Sequence, residues 1–263
     1  TKNLASGLVV RASAKALKQL RTNPAVASIY PVYDSKPMVA DSAVYMKADA
    51  IVRDGIASGQ GITVAVLDSG IDYTHKALGG VGTVEAYDAV DQDVAPSWPQ
   101  GKVLGGYDFI NDDPNPIDPL TGGHGTFVAS SVNGIAPDVE FYAYTVCTGT
   151  CPGAAQIGAL DAALDPNGDG DISDRVDVIN MSLGGDVGST NAESGTQFLI
   201  QKAAKIGINM VISAGNDGPN PFIVGGPSTT PNALSVGAMT NAASQSALFE
   251  ATTIAGQEIE MIP

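Results

Sequence analysis

Basic residues are scarce in this 263-residue chain: 13 Lys and Arg stand against 28 Asp and Glu, a formal net charge of −15. That balance excludes a nucleic-acid binder that works by neutralising phosphates, which needs the opposite sign. No run approaches 18 uninterrupted apolar residues, so no membrane span is read in the sequence. Two Cys are too few for a disulfide scaffold, and two His leave little choice for imidazole chemistry. Trp98 is the single tryptophan, and aromatics make up only 6 %. What is present is a 44 % hydrophobic, 16 % charged composition with 31 Gly and 16 Pro. That is enough for one sizeable domain, or one plus a small appendage, and it suits a fold with many tight connections.

The charge is uneven. Residues 1–36 hold six bases (Lys2, Arg11, Lys15, Lys18, Arg21, Lys36) and one acid, Asp34, while the remaining 227 residues hold seven bases and 27 acids. A basic head and an acidic body of that kind attract each other, unless the head is simply a solvated helix face. Residues 8–11 are extended in character. Ala16, Leu17 and Leu20 fall at helical spacing over 13–21, Pro24 stops that helix, and residues 25–33 read as a second strand. The polar stretch from Asp34 to Ser42 marks a boundary. The start at Thr1 and the irregular end, Gln257 to Pro263, read as cut ends of a longer precursor, so the lack of a signal peptide carries no message about location.

Beyond residue 61 the pattern changes. Ile62–Leu67 is a continuous, β-branched apolar run, the mark of a strand buried on both faces. Val139–Val146, Val176–Met181, Ile208–Ser213 and Ala233–Met239 read as further strands, with helices at about 124–133, 153–164 and 194–206 between several of them. The alternation predicts an α/β fold, a parallel sheet with helices on both faces. The segment from Gly79 to Leu120, rich in Asp, Pro and Gly, reads as long surface loops, with Asp112, Asp113 and Asp118 as solvated acids.

Sites in such sheets sit outside the carboxyl ends of the strands. Three exits stand out: Asp68-Ser69-Gly70, Asn180-Met181-Ser182-Leu183-Gly184, and Ser213-Ala214-Gly215-Asn216. Gly122-Gly123-His124-Gly125-Thr126 opens a helix, and small neighbours let the His124 ring project into a cleft. His75, on a loop seven residues after Asp68, reads as an ordinary histidine. An Asp can hold a His in one tautomer and stabilise its imidazolium, and an Asn amide can donate to a developing oxyanion.

Together these segments resemble the subtilase family of serine peptidases. Asp68-Ser69-Gly70 is similar to the family's aspartate motif, and Gly123 to Ala129 to its histidine motif. Ser213 to Asn216 resembles the segment with the oxyanion-hole Asn, Asn180 to Gly184 the strand lining the substrate cleft, and Pro231 to Ala238 the strand that follows. The five occur in family order across roughly residues 45–240. The resemblance implies a serine endopeptidase that hydrolyses peptide bonds through an Asp-His-Ser triad, with Asp68 and His124 as members and Asn216 as oxyanion donor. Ser182, Leu183, Gly184, Ala214 and Gly215 would hold an extended peptide or protein substrate, and a secreted enzyme is expected. Phe127 stands where many members carry a second, non-triad His. The Gly-Thr-Ser-Met-Ala type motif of the nucleophile does not occur between Asn216 and Pro263. The tail Phe249–Pro263 resembles the start of an inserted protease-associated domain, which would place the Ser downstream. The alternative is an inactive, peptide-binding relative. Residues 1–36 resemble part of an inhibitory propeptide, residues 37–248 the incomplete catalytic core, and 249–263 the start of the insertion; the propeptide would act as an intramolecular inhibitor, processed within residues 34–44.

Two further motifs stand apart. Asp165, Asn167, Asp169 and Asp171 alternate, with Gly170 at the sixth place, as in the first half of a calcium loop. The twelfth position is Val176 rather than Glu; Asp174 or Asp177 could substitute, or the segment is an acidic turn. Cys147 and Cys151 lack the further ligands of a zinc site and the two-residue spacing of a redox pair, and read as a small structural disulfide, with two free thiols as the alternative.

Overall fold

A strand that feeds alternate side chains into two cores needs a continuous apolar run, and β1 (Thr63–Asp68) has one from Val64 to Leu67. Ala65 and Leu67 enter one core, Val64 and Val66 the other, each almost wholly buried. In this computed structural model, which describes residues 13–26, 43–120, 123–185, 188–190, 194–218 and 221–239, β1 sits inside a parallel sheet of β2 (Val103–Asp108), β3 (Glu140–Thr145), β4 (Val178–Met181), β5 (Asn209–Ser213) and β6 (Leu234–Val236). The spatial order is β2-β3-β1-β4-β5-β6, and every pairing is parallel. The α/β expectation holds.

Helices cover both faces. On one, α5 (Gly153–Ala162) and α6 (Gly195–Lys205) place Ala155, Ala159, Leu160, Ile200 and Ala203 over Leu67, Ile179, Met181 and Ile212. On the other, α4 (His124–Ile135) sets Ala129 and Val132 over Val66, Phe141 and Ala143. The Ser194 hydroxyl accepts the Gln197 N–H at the start of α6, and Lys202 and Lys205 occupy its last turn, where cations oppose the helix dipole. Short helices α2 (Ala48–Arg53) and α3 (Val84–Asp88) complete this unit.

The chain divides into two compact units, Val39–Met239 and a second made of Thr1–Met38 with Thr240–Pro263. In the second, α1 (Ala14–Arg21) begins at Ser13, whose hydroxyl accepts the Ala16 N–H, and its less exposed residues include the expected Ala16, Leu17 and Leu20. The expected strands at 8–11 and over most of 25–33, and the tail 249–263, lie outside the described residues.

One expectation is overturned. Residues 79–120 are not simply surface loops: they contain α3, and β2, which pairs with β3 at the sheet edge. The Gly105-Gly106 pair hides β2 from a reading by apolar runs, yet it lets the strand lie close to β3, where a Cβ on Gly106 would sit 2.0 Å from the Ala143 carbonyl oxygen. Asp118 is not solvated either; it is 0 % exposed. Among the described residues no helix is long and apolar enough to cross a membrane.

Candidate active site

The sheet register brings three strand exits level. Val66 pairs with Asn180 and Asn180 with Val211, so two residues further along each strand lie Asp68, Ser182 and Ser213. Asp68 also pairs with Thr145 of β3. The Asp68 carbonyl accepts the N–H groups of Val146 (2.7 Å) and Cys147 (3.1 Å), which ties the exit of β3 to that of β1. Cys147 and Cys151 form a disulfide just past this point, Sγ to Sγ 2.06 Å.

His124 arrives from the other face, as the first residue of α4. Its Nδ1 lies 2.8 Å from Asp68 Oδ1 and 3.0 Å from Oδ2. A carboxylate can only accept, so the ring donates its Nδ1 proton and leaves Nε2 as the basic nitrogen. Asp68 is 2 % exposed, whereas the His124 side chain is 54 % exposed. The carboxylate is thus fixed and dry while the ring faces outward. Asp68 Oδ1 also accepts the Ser69 N–H at 2.8 Å, a second donor on the buried group.

Close approach of α4 to β1 is possible only because residue 125 is Gly. A Cβ there would lie 2.1 Å from the Gly70 carbonyl oxygen and 3.1 Å from Asp68 Cβ. The first N–H groups of a helix lack partners within it, and the N-cap, Gly123, has no side chain to offer. Ser69 Oγ accepts the Gly125 N–H at 3.0 Å, and Asp118 Oδ2 accepts both the N–H (2.8 Å) and the hydroxyl (2.6 Å) of Thr126. Thr126 Oγ1 in turn accepts the Asp72 N–H at 2.8 Å. The sequence reading missed Ser69, Asp118 and Thr126. The legible signal was a helix opening on Gly-Gly-His-Gly, with no capping side chain of its own.

Burial pushes the Asp118 carboxyl above its ordinary value; the two Thr126 hydrogen bonds and Ser69 hold it down, and neighbouring Asp68 pushes it up again.

Ser182 is half-buried and takes a hydrogen bond from the Asn180 amide (3.0 Å); Leu183 is buried, and Gly184 is exposed. The Ser213 hydroxyl donates to the Leu183 carbonyl at 3.3 Å. Ala214 is held by β6 and by the Gly225 N–H, while Gly215 and Asn216 lie on the exposed turn beyond β5. β5 is two strands from β1, so Ser213, three residues before Asn216, leaves the sheet about 10 Å from the exit of Asp68.

The other candidates fall elsewhere. His75 Nδ1 accepts the Ala77 N–H at 3.3 Å and caps the short 3₁₀ turn Lys76–Leu78. In the 165–171 loop, Asp165 accepts N–H groups from Gly168, Asp169 and Gly170, Asn167 one from Asp169, Asp169 one from Asp171, and Asp171 one from Ser173. Gly170, at φ +86°, makes the sharp turn. Val176, in the twelfth place, is buried in the core, and Asp177 Oδ2 is committed to the Thr63 N–H and hydroxyl. Among the described residues Asp174 Oδ1 is buried without a hydrogen-bond partner, and no three His, Cys, Asp or Glu side chains gather around one point. The oxygens expected for calcium accept the loop's own N–H groups, and a carboxylate oxygen has a further lone pair with which to hold an ion at the same time.

Residues 59–256 match the model of the subtilase family. Among curated proteins the chain is 32 % identical to the minor extracellular protease Vpr of Bacillus subtilis over 77 % of its length and 23 % of that protein. It is 30 % identical to subtilisin E of the same species over 94 % of its length and 58 % of that protein. It therefore spans little more than half of one relative and less than a quarter of the other. Among solved structures, a lanthipeptide protease overlays 78 % of this chain and 60 % of its own with a TM-score of 0.51 and 25 % identity. A parallel sheet with a buried Asp at one strand exit, a His at the helix start against it, and a family match over three quarters of the sequence place this chain in the subtilase family.

Proposed function

We propose that this chain carries the Asp-His pair and the oxyanion donor of a secreted, subtilisin-type serine endopeptidase, its nucleophile Ser supplied from outside residues 1–263. The contact between His124 Nδ1 and buried Asp68 carries the reading. His124 Nε2 takes the proton from the Ser hydroxyl as its oxygen bonds to the scissile carbonyl carbon. The carbonyl oxygen, now negative, accepts from the exposed Asn216 amide. The imidazolium, stabilised by Asp68, then gives its proton to the leaving amine as the C–N bond breaks, and water repeats the sequence on the acyl ester.

Ser182 to Gly184 would pair with an extended peptide or protein substrate, with Ala214 and Gly215 leaving room for a side chain. Residues 1–36 would act as the propeptide part, 37–248 as the core and 249–263 as the start of an insertion. Secretion accords with the extracellular relative named above. Asp165, Asn167, Asp169 and Asp171 would hold calcium, their oxygens accepting backbone N–H groups while a further lone pair faces the ion. Titration with calcium chloride is expected to give a saturable heat abolished by Asp165→Ala; neither heat nor a rise in Tm would leave the segment an acidic turn.

A non-catalytic peptide-binding module is the second reading, favoured by the lack of a Gly-Thr-Ser-Met-Ala type motif between Asn216 and Pro263. Reading the coding DNA past Pro263 separates the two. An open frame reaching such a motif is the expected result; a stop codon soon after Pro263 would move the binding module to first place.

A further inference from the structure

We propose that Asp118 is a positioning residue for His124: it supplies from the preceding loop the N-terminal cap that α4 lacks, and so fixes the ring against Asp68. The inference rests on the Asp-His reading above and adds a residue to it. α4 begins at His124 itself, so any freedom in its first turn is freedom in the ring's position. Three N–H groups, those of His124, Gly125 and Thr126, lie ahead of the first intrahelical bond, which runs from the Phe127 N–H to the Gly123 carbonyl. Ser69 takes the second of the three and Asp118 the third. A carboxylate at this place also faces the positive end of the helix dipole.

The bonds from Asp118 are not local decoration. The Asp118 carboxylate holds Thr126 by two donors, at 2.8 and 2.6 Å, and Thr126 Oγ1 passes the tie to the Asp72 N–H. Asp118 is itself anchored, since the Tyr87 hydroxyl donates to its carbonyl at 3.0 Å. Its surroundings leave it little room to move: a Cβ on Gly123 would come within 3.2 Å of Oδ2. Keeping a wholly buried carboxylate beside a second buried acid is costly, and burial with Asp68 raises its pKa accordingly. Among the described residues Oδ1 has no hydrogen-bond partner, and Oδ2 is the oxygen that holds Thr126. An Asn at this place keeps one oxygen to accept from Thr126 and removes the charge.

The test reads the hydrogen bond between His124 and Asp68 directly, as the downfield ring N–H proton resonance of His124 in the complete protein. It compares wild type with Asp68→Asn, Asp118→Ala, Asp118→Asn and Thr126→Val, with Tm recorded for each. Asp68→Asn is expected to abolish the resonance. Asp118→Ala and Thr126→Val are expected to broaden or lose it, and Asp118→Asn to keep it. If Asp68→Asn leaves the resonance in place, the Asp-His pair itself is wrong. If Asp68→Asn removes it while Asp118→Ala and Thr126→Val lower Tm without touching it, Asp118 is structural only and this inference falls. Should Asp118→Ala not fold, Thr126→Val and Asp118→Asn decide the matter alone: loss in the first with retention in the second supports the inference, and any other pairing overturns it.

Discussion

Two acidic, glycine-containing segments of this chain meet opposite fates. Asp68 and Asp118 are buried, and the hydrogen bonds around them reach across the chain: His124 and Gly125 lie 56 residues from their partners, Thr126 lies 54 from Asp72. In the loop from Asp165 to Asp171 every side-chain bond closes within five residues and is exposed. Oxygens at alternate positions suit a calcium loop in sequence, yet a turn uses the same residues to satisfy its own backbone. Burial and partners from distant elements, more than acidity, distinguish a site from a connection.

Changes at the pair itself should break that contrast hardest. In the complete protein, His124→Ala is expected to lower kcat by about 10⁶. Asp68→Asn should cost about 10⁴, through loss of the required tautomer. Asn216→Ala should cost about 10²–10³, the loss typical of removing one oxyanion-hole donor, subtilisin's own included. A rate assay on a peptide substrate ranks the three; an unchanged kcat for Asn216→Ala would remove that residue from the site.

Gly125→Ala probes the geometry that lets α4 approach β1. The added methyl meets the Gly70 carbonyl oxygen at 2.1 Å, so a loss of about 1–3 kcal/mol is expected from forced displacement. Thermal unfolding should show this as a fall of several degrees, with activity lost more steeply than stability because the His124 ring moves with the helix.

Asp118 gives a pH-dependent signature. Its carboxyl is raised by burial, so the native state takes up a proton before the unfolded chain does. The destabilising contribution is present above the folded-state pKa and is relieved as pH falls through it, towards the unfolded value of about 3.9. Asp118→Asn should flatten the stability-against-pH curve in that window and leave the rest of the profile alone. Denaturant melts across the window check it.

The smallest effect belongs to the exposed loop. Asp165→Ala removes the acceptor for three N–H groups. It is expected to cost about 1 kcal/mol, as loss of a helix cap does, and to leave activity unchanged.

What could be read from the residues follows the same division. β1 was legible because burial on both faces leaves an unbroken apolar run, and His124 because small residues flank it at a helix start. β2 was hidden by Gly105-Gly106, where closeness to β3 replaces side-chain bulk. Asp118 reads as solvated because it lies in a segment rich in Asp, Pro and Gly; its contacts with Thr126 at the start of α4 and with Tyr87 of α3 are made only in the fold. In the acidic loop the alternating oxygens are legible in the spacing, while the twelfth position is taken by Val176, which enters the core.

The most direct measurement is hydrolysis of an unfolded protein substrate by the complete protein, wild type beside His124→Ala. The account predicts turnover in the wild type and a loss of about 10⁶ in the variant. Equal turnover in the two would contradict it, as would a well-folded wild type carrying the downstream Ser that hydrolyses nothing.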